Sequence, residues 1–127
     1  MLYLSLFIAG GLGVVSRFLS VNYLTKLFGS TFPFGTLLVN IIGSLLFGFL
    51  SWYIVQRWAA VANIETVKIA ILSGFLGGYT TFSAFSMEAL HLLQTGQFAK
   101  AILYMLASVV LCVFACFIGL LLAKQIA

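Results

Sequence analysis

Phe82 and Phe85, three residues apart, are the first candidates for chemistry in this chain because hydroxyl and carboxyl side chains flank them in sequence. The edge of a phenylalanine ring carries partial positive charge. Two ring edges beside hydroxyls and the amide of Asn40 would form a weak anion site without a formal charge that traps the ion. The chain has 13 phenylalanines, so ordinary packing is the competing interpretation of this pair.

Gly77-Gly78 and Thr80-Thr81 lie just before the phenylalanine pair and predict a break in the helix that carries it. Glycine costs a helix about 1 kcal/mol relative to alanine, and β-branched threonine loses rotamer freedom there. Unwound backbone inside a membrane must be satisfied by protein or by a hydrophilic cavity, and its freed carbonyls are natural cation ligands. The sequence therefore sets a candidate cation site beside the candidate anion site.

Arg17 is a charged residue inside the first apolar segment, nine residues before Lys26 and so roughly 13 Å deeper along a helix. One interpretation is that its long side chain reaches back to the headgroups. The other is a fixed positive charge at the base of an aqueous vestibule, which would draw anions inward.

A small and polar stripe recurs every four residues on the second apolar segment, at Thr36, Asn40, Ser44 and Gly48. Such stripes usually serve helix packing, through close backbone approach and hydrogen bonds between helices. Asn40 requires more, because its amide has two donor hydrogens and an acceptor to satisfy. We expect Asn40 to face either a polar partner or a permeating species.

The elements that must position these residues are membrane-spanning helices. Of the 127 residues, 64% are hydrophobic and 6% are charged, which is more apolar surface than a soluble domain of this size can bury. A hydrocarbon core about 30 Å thick takes about 20 apolar residues per helix, so residues 1–127 have room for one four-span transmembrane domain. Hydropathy predicts spans over 2–28, from the turn at 29–33 to 58, over 66–91, and from the turn at 94–97 to 123.

The basic residues stand singly, so the net charge of +4 forms no patch that could follow a nucleic-acid backbone. Four spans put Lys26 and Lys100 at one face of the membrane and Arg57, Lys68 and Lys124 at the other. A bias of three against two is too weak to fix orientation. Either another signal orients the chain, or it inserts both ways and forms an antiparallel dimer.

The remaining reactive residues give little support for other functions. Cys112 and Cys116 lie in an apolar run with no histidine or carboxylate beside them, so we expect two buried free thiols rather than a metal pair. Glu65 and Glu88, the two carboxylates, are far apart and leave no acid-base pair for hydrolysis. We therefore expect no enzyme activity.

In three of its four spans the chain resembles the Fluc (CrcB) family of fluoride channels. The most specific part of the resemblance is Gly77-Gly78 with Thr80-Thr81-Phe82-Ser83. Weaker matches lie in the first two spans, at Gly10-Gly11, Arg17-Phe18, Gly35-Thr36, Val39-Asn40 and Gly43-Ser44. Leu76, Ala84 and Phe18 depart from the family pattern, where Cys, Thr and Tyr are common, so no hydroxyl role is carried over to position 84.

This resemblance implies a passive, fluoride-selective channel that exports fluoride across a bacterial-type cytoplasmic membrane. The implied fold is an all-α membrane protein with four transmembrane helices, the third of them broken in mid-membrane. Two copies would assemble in the lipid bilayer as an antiparallel, dual-topology homodimer with two pores. A structural sodium ion would lie at its centre.

The resemblance also assigns roles to individual residues. The backbone carbonyls of Gly77 and Thr80 would hold the sodium ion, and Arg17 would draw anions toward the vestibule. Six side chains would form the fluoride pathway, with the last three as a polar track and its end: Asn40, Phe82, Phe85, Tyr104, Ser108 and Glu88.

Two other membrane functions compete with the channel. A proton-coupled pump of the small multidrug resistance type is also a short four-span dimer, but it needs a carboxylate inside the first span, where this chain has Arg17. A non-transporting assembly subunit would explain the packing glycines but not a break flanked by Thr80-Thr81-Phe82.

Overall fold

The computed structural model describes residues 1–126 and contains four helical spans. They are α1 (Leu2–Phe28), α2 (Phe34–Arg57), a composite third span (Ile64–Gln94) and α6 (Phe98–Ile126). Each is long and apolar enough to cross a membrane. The prediction of four spans is therefore confirmed.

The connections between the spans follow from local residue chemistry. Gly29 ends α1 with φ of 81°, a left-handed conformation that glycine adopts without strain. Pro33, which cannot donate a backbone hydrogen bond, is the N-cap of α2, so the helix begins at Phe34, directly after the predicted turn at 29–33. Asn63 is left-handed and starts the third span at Ile64, two residues before the predicted start.

The third span is broken in the middle, as predicted. It consists of α3 (Ile64–Ile69), a π-helical stretch (Ala70–Leu76), α4 (Gly77–Tyr79) and α5 (Phe82–Gln94). The break itself lies at Thr80 and Thr81, whose ψ angles of 159° and 118° are extended. The Thr81 hydroxyl accepts a hydrogen bond of 3.2 Å from the amide of Ala84 and so caps the new helix.

The position of the break differs from the prediction in one respect, because Gly77 and Gly78 are helical. Gly78 serves close packing instead. A β-carbon there would lie 2.5 Å from the carbonyl oxygen of Gly10 on α1, which is too short a contact for any side chain. The small residues of these two helices let their backbones approach, as is typical of membrane helices.

α2 and α6 form the second closely packed pair. A β-carbon at Gly48 would overlap the carbonyl of Cys116, and one at Gly119 would overlap the carbonyl of Leu45. Outside these contacts, α1 and α6 expose many large apolar side chains, among them Phe7 at 81% and Leu106 at 61%. Such surfaces suit contact with lipid tails rather than water.

The charged ends of the helices agree with the predicted faces. The Lys100 ammonium lies 3.4 Å from the carbonyl of Thr31, in the turn that also follows Lys26. At the opposite end, Arg57 donates a 3.0 Å hydrogen bond to the carbonyl of Ile126, near Lys124.

Candidate functional site at the helix break

The break in the third span opens onto a cavity of about 480 Å³ between α2, α5 and α6, which we call the break cavity. None of its lining residues, all within 1–126, carries a formal charge. The polar, aromatic and sulfur-containing groups among them are Asn40, Ser44, Phe47, Thr80, Thr81, Phe82, Phe85, Ser108, Cys112 and Cys116. The structure thus brings together four of the six predicted pathway residues: Asn40, Phe82, Phe85 and Ser108.

Asn40 pairs with the backbone of the break. Its Nδ2 donates to the Thr81 carbonyl at 2.9 Å, and the Thr81 amide donates to its Oδ1 at 2.8 Å. These bonds replace helical hydrogen bonds that the extended threonines cannot make. Asn40 therefore faces a polar partner, and one of its two amide hydrogens remains for a ligand in the cavity.

Phe82 and Phe85 are neighbours, with ring centroids 5.3 Å apart and ring planes tilted by 51°. Their exposure differs sharply within the single chain: Phe82 is 77% exposed, whereas Phe85 is 8% exposed. Phe85 also packs on Tyr104, at 5.1 Å between centroids. Phe82 thus stands at the open side of the cavity, and Phe85 joins the cavity to the protein core.

Ser108 has the least satisfied side chain of the site. It is 7% exposed, and its hydroxyl has no hydrogen-bond partner among residues 1–126. An unpaired buried hydroxyl costs about 1–3 kcal/mol, so such groups usually indicate a ligand or water. The Ser108 hydroxyl is therefore free to donate a hydrogen bond to, or accept one from, a ligand in the break cavity.

Glu88 does not line the break cavity. It lies at the hydroxyl end of Tyr104, whose ring packs on Phe85. The Thr36 hydroxyl donates to its Oε1 and the Tyr104 hydroxyl donates to its Oε2, both at 2.7 Å. Tyr104 is fully buried. Short bonds of this kind, from a hydroxyl to a carboxylate, are among the stronger ones in proteins.

Arg17 lies in a second cavity of about 410 Å³, the arginine cavity, on the other side of the break. Thr36, Thr81 and Glu88 also line it. The Arg17 guanidinium donates a 3.0 Å hydrogen bond to the Thr80 carbonyl, so it is held against the break rather than extended toward headgroups. Among residues 1–126 the ion pairs within 4.0 Å are limited to Lys68 with Glu65, which leaves the Arg17 charge unneutralised at that distance.

The two carbonyls predicted to bind a cation have different surroundings. The Gly77 carbonyl loses its helical partner because the Thr81 amide donates to Asn40 instead. The Thr80 carbonyl accepts from Arg17 and keeps one further lone pair. A β-carbon at Gly77 would have ordinary contacts, the nearest at 3.8 Å, so the chain itself leaves room there.

Sequence reasoning missed or misjudged three features of the site. It treated Thr36 only as part of a packing stripe, whereas the Thr36 hydroxyl donates to Glu88. The available signal was a hydroxyl in the second span together with a carboxylate in the third. It gave Thr81 no role beyond the break, although Thr81 lines both cavities. It also expected Cys112 and Cys116 to be buried, whereas both are half-buried and line the break cavity.

Comparison with known proteins places the chain in a family. The sequence profile described as CrcB-like protein, Camphor Resistance (CrcB) matches residues 4–120. The chain belongs to the CrcB family. The range shared with the CrcB family includes every residue of the break cavity and of the arginine cavity.

Several curated proteins similar to this CrcB family chain bear the name Fluoride-specific ion channel FluC. The chain is 43% identical to the one from Coxiella burnetii over 123 residues, which cover 97% of this chain and 98% of the relative. It is 41% identical to the one from Magnetococcus marinus, over 94% of each chain. It is 46% identical over 127 residues to the one from Methylococcus capsulatus, covering 98% of this chain and about half (54%) of the relative's length.

Proposed function

We propose that this chain is the subunit of a fluoride-selective channel that lets fluoride leave the cell passively across a bacterial-type cytoplasmic membrane. The observation that carries the proposal is the break cavity. There an unpartnered buried hydroxyl, a side-chain amide and two phenylalanine rings meet without any charged group. The names of the similar proteins support the choice of ion.

An uncharged site suits rapid passage of an anion. The Ser108 hydroxyl and the free hydrogen of the Asn40 amide can each donate to a small, hard anion that has lost part of its water shell. Phenylalanine edges add weak positive potential. A fixed positive charge in the same place would bind the ion too tightly, because Coulomb attraction is strong where water is excluded.

Arg17 supplies that positive charge outside the break cavity. Its guanidinium lies across the break, in the arginine cavity, where it would raise the local concentration of anions without holding one in the narrow part. Tyr104 and Glu88 would form the end of the pathway. The Thr36 and Tyr104 hydroxyls both donate their single hydrogen to the Glu88 carboxylate, so these bonds fix the position of Glu88 at that end.

The proposed assembly is an antiparallel, dual-topology homodimer. Phe82 is 77% exposed in the single chain and stands beside the polar break, where contact with lipid would leave backbone groups unsatisfied. A second copy of the same surface would cover both the Phe82 side chain and the backbone of the break. The near balance of basic residues at the two membrane faces is compatible with insertion in either orientation.

A structural sodium ion at the centre of that dimer is part of the proposal. The freed carbonyl of Gly77 and the second lone pair of Thr80 are hard oxygen donors, and two subunits would supply about four of them. When bound, the cation would offset the repulsion between carbonyl oxygens that face one another across the axis. The chain's own contribution is the break, held open by Asn40 and by Arg17.

The decisive experiment is efflux from liposomes that contain the purified protein, measured with ion-selective electrodes for fluoride and for chloride. Fast fluoride efflux with chloride efflux at the level of empty liposomes supports a selective channel. Efflux of both ions, or of neither, contradicts it. Fluoride movement that stops when a proton gradient is removed would instead favour a coupled transporter.

A further inference from the structure

Cys112 and Cys116 form a pair of thiols on the wall of the break cavity that the proposed function does not use. They lie four residues apart on α6, so their side chains share one face with β-carbons about 5–6 Å apart. Both are half-buried free thiols, and they are the only two cysteines of the chain. Two adjustable thiols at this spacing can converge on one small ion.

The surroundings of the pair decide which ion fits. Within residues 1–126 no group of three or more His, Cys, Asp or Glu side chains comes together. A zinc ion, which requires four such ligands in a structural site, therefore does not fit a single chain. Soft thiolate sulfur favours monovalent copper, and the related silver ion shares its preference for two sulfur ligands.

The Ser108 hydroxyl is a second, independent sign of a ligand in this cavity. It lies one helical turn before Cys112, is more than nine-tenths buried, and lacks a partner among the described residues. Tyr104 precedes it by another turn but is fully buried and bonded to Glu88. On this face of α6, the residues that line the break cavity are therefore Ser108 and the two cysteines, one helical turn apart, and not Tyr104.

We propose that Cys112 and Cys116 bind one soft monovalent metal ion, Cu(I) or Ag(I), and that the bound ion blocks the passage of anions. Each thiol gives its proton to solvent and forms one sulfur–metal bond, and no oxidation state changes. Two thiolates and one monovalent cation carry a net charge of −1. The filled site would obstruct the cavity and also repel fluoride. The binding step is independent of the proposed function, whereas the block rests on it.

Binding is tested by titrating the purified protein with silver nitrate in chloride-free, thiol-free buffer and measuring the heat. We expect one silver ion per chain. Cys112→Ser and Cys116→Ser should each weaken binding at least tenfold, because one sulfur ligand is lost. The double serine variant should bind none, and the double alanine variant repeats the test should serine disturb folding. Unchanged affinity in either single variant would overturn the two-thiol site.

The block is tested by fluoride efflux from liposomes with and without silver nitrate, expressed for each protein as the ratio of the two rates. Wild type should lose at least nine-tenths of its flux and recover it with excess dithiothreitol, while the double serine variant should keep a ratio near one. A ratio near one in wild type that binds silver overturns the block. Wild type that lacks fluoride flux even without silver contradicts the proposed function, and the titration still decides the metal site.

Discussion

The side-chain amide of Asn40 pairs with the backbone of Thr81 through two hydrogen bonds, which run in opposite directions at 2.9 and 2.8 Å. α2 thereby supplies to the broken third span the donor and acceptor that a continuous helix would have provided. Because Thr81 lines both cavities, this one pair sets the geometry of the whole site.

Asn40→Ala should therefore lower stability as well as flux. It leaves the amide and the carbonyl of Thr81 unpaired, at a cost of about 1–3 kcal/mol each where they cannot meet water. We expect a clearly lower melting temperature in detergent and at least a tenfold loss of fluoride efflux. Ser44→Ala, in the same stripe and cavity, is the matched control and should change melting little. Equal melting of the two variants would contradict the role of the pair.

Phe82→Ile should reduce flux without reducing stability. Isoleucine keeps much of the apolar volume but removes the ring edge, and Phe82 is 77% exposed in the chain, so few internal contacts are lost. We expect fluoride efflux to fall about a hundredfold while the protein purifies and melts as wild type does, because isoleucine keeps the apolar surface that the proposed second copy would cover.

Phe85→Ile should lower both quantities, because Phe85 is buried against Tyr104. Phe47→Ile, on the same cavity but outside the pair, serves as the control for both variants. Efflux within twofold of wild type for Phe82→Ile and Phe85→Ile would return the pair to ordinary packing.

Much of the fold was predictable because the membrane leaves few choices. Four apolar stretches of suitable length gave four helices, with ends two to three residues away from the predicted ones at Ile64, Gln94 and Ile126. The break was predictable from its composition. Its exact place was not predictable from composition. The glycines stay helical where they pack on α1, and the chain unwinds at the threonines, where Asn40 bonds to the Thr81 backbone.

The candidate site was predictable only in part, since its contacts join distant parts of the chain. Thr36 is 52 residues from Glu88, and no local pattern links them. Tyr104 and Ser108 share a row on α6, yet only Ser108 opens into the break cavity, because the Tyr104 hydroxyl is held by Glu88. Half-burial of the two cysteines depends on how α6 faces α2, which hydropathy does not report.

Ser108→Ala should lower flux without lowering stability, whereas Asn40→Ala should lower both. Removing an unpartnered buried hydroxyl relieves the chain of a desolvated group, so melting should stay the same or rise. Fluoride efflux should fall about tenfold, because a donor in the cavity is lost. Ser51→Ala is the control: its hydroxyl donates to the Gly48 carbonyl at 2.9 Å, Ser51 does not line the break cavity, and its loss should leave efflux unchanged. Lower melting with normal efflux for Ser108→Ala would contradict this assignment.

Orientation in the membrane should be easy to bias, because the basic residues divide three against two between the faces. Adding two or three lysines to the turn between α1 and α2 should fix one orientation, and adding them to the turn between α2 and the third span should fix the other. Each variant alone should lack fluoride efflux, and co-expression of the two should restore it. A single biased variant that conducts unaided would exclude the antiparallel dimer.

If the proposed sodium ion is structural, its prolonged removal should abolish fluoride flux or loosen the proposed dimer, while a sodium gradient should make no difference to that flux. The reason is that backbone carbonyls of Gly77 and Thr80 would face their copies without a cation between them, in a medium of low dielectric constant. Thr80→Ser keeps the carbonyl and should be mild. Gly77→Ala is the sharper variant: a β-carbon there has ordinary contacts within the chain, so a severe loss of efflux would indicate an effect at the proposed dimer centre. Gly78→Ala is its control and should destabilise the single chain through its contact with Gly10. Full activity after exhaustive sodium depletion, measured by efflux into sodium-free buffer, would exclude the structural ion.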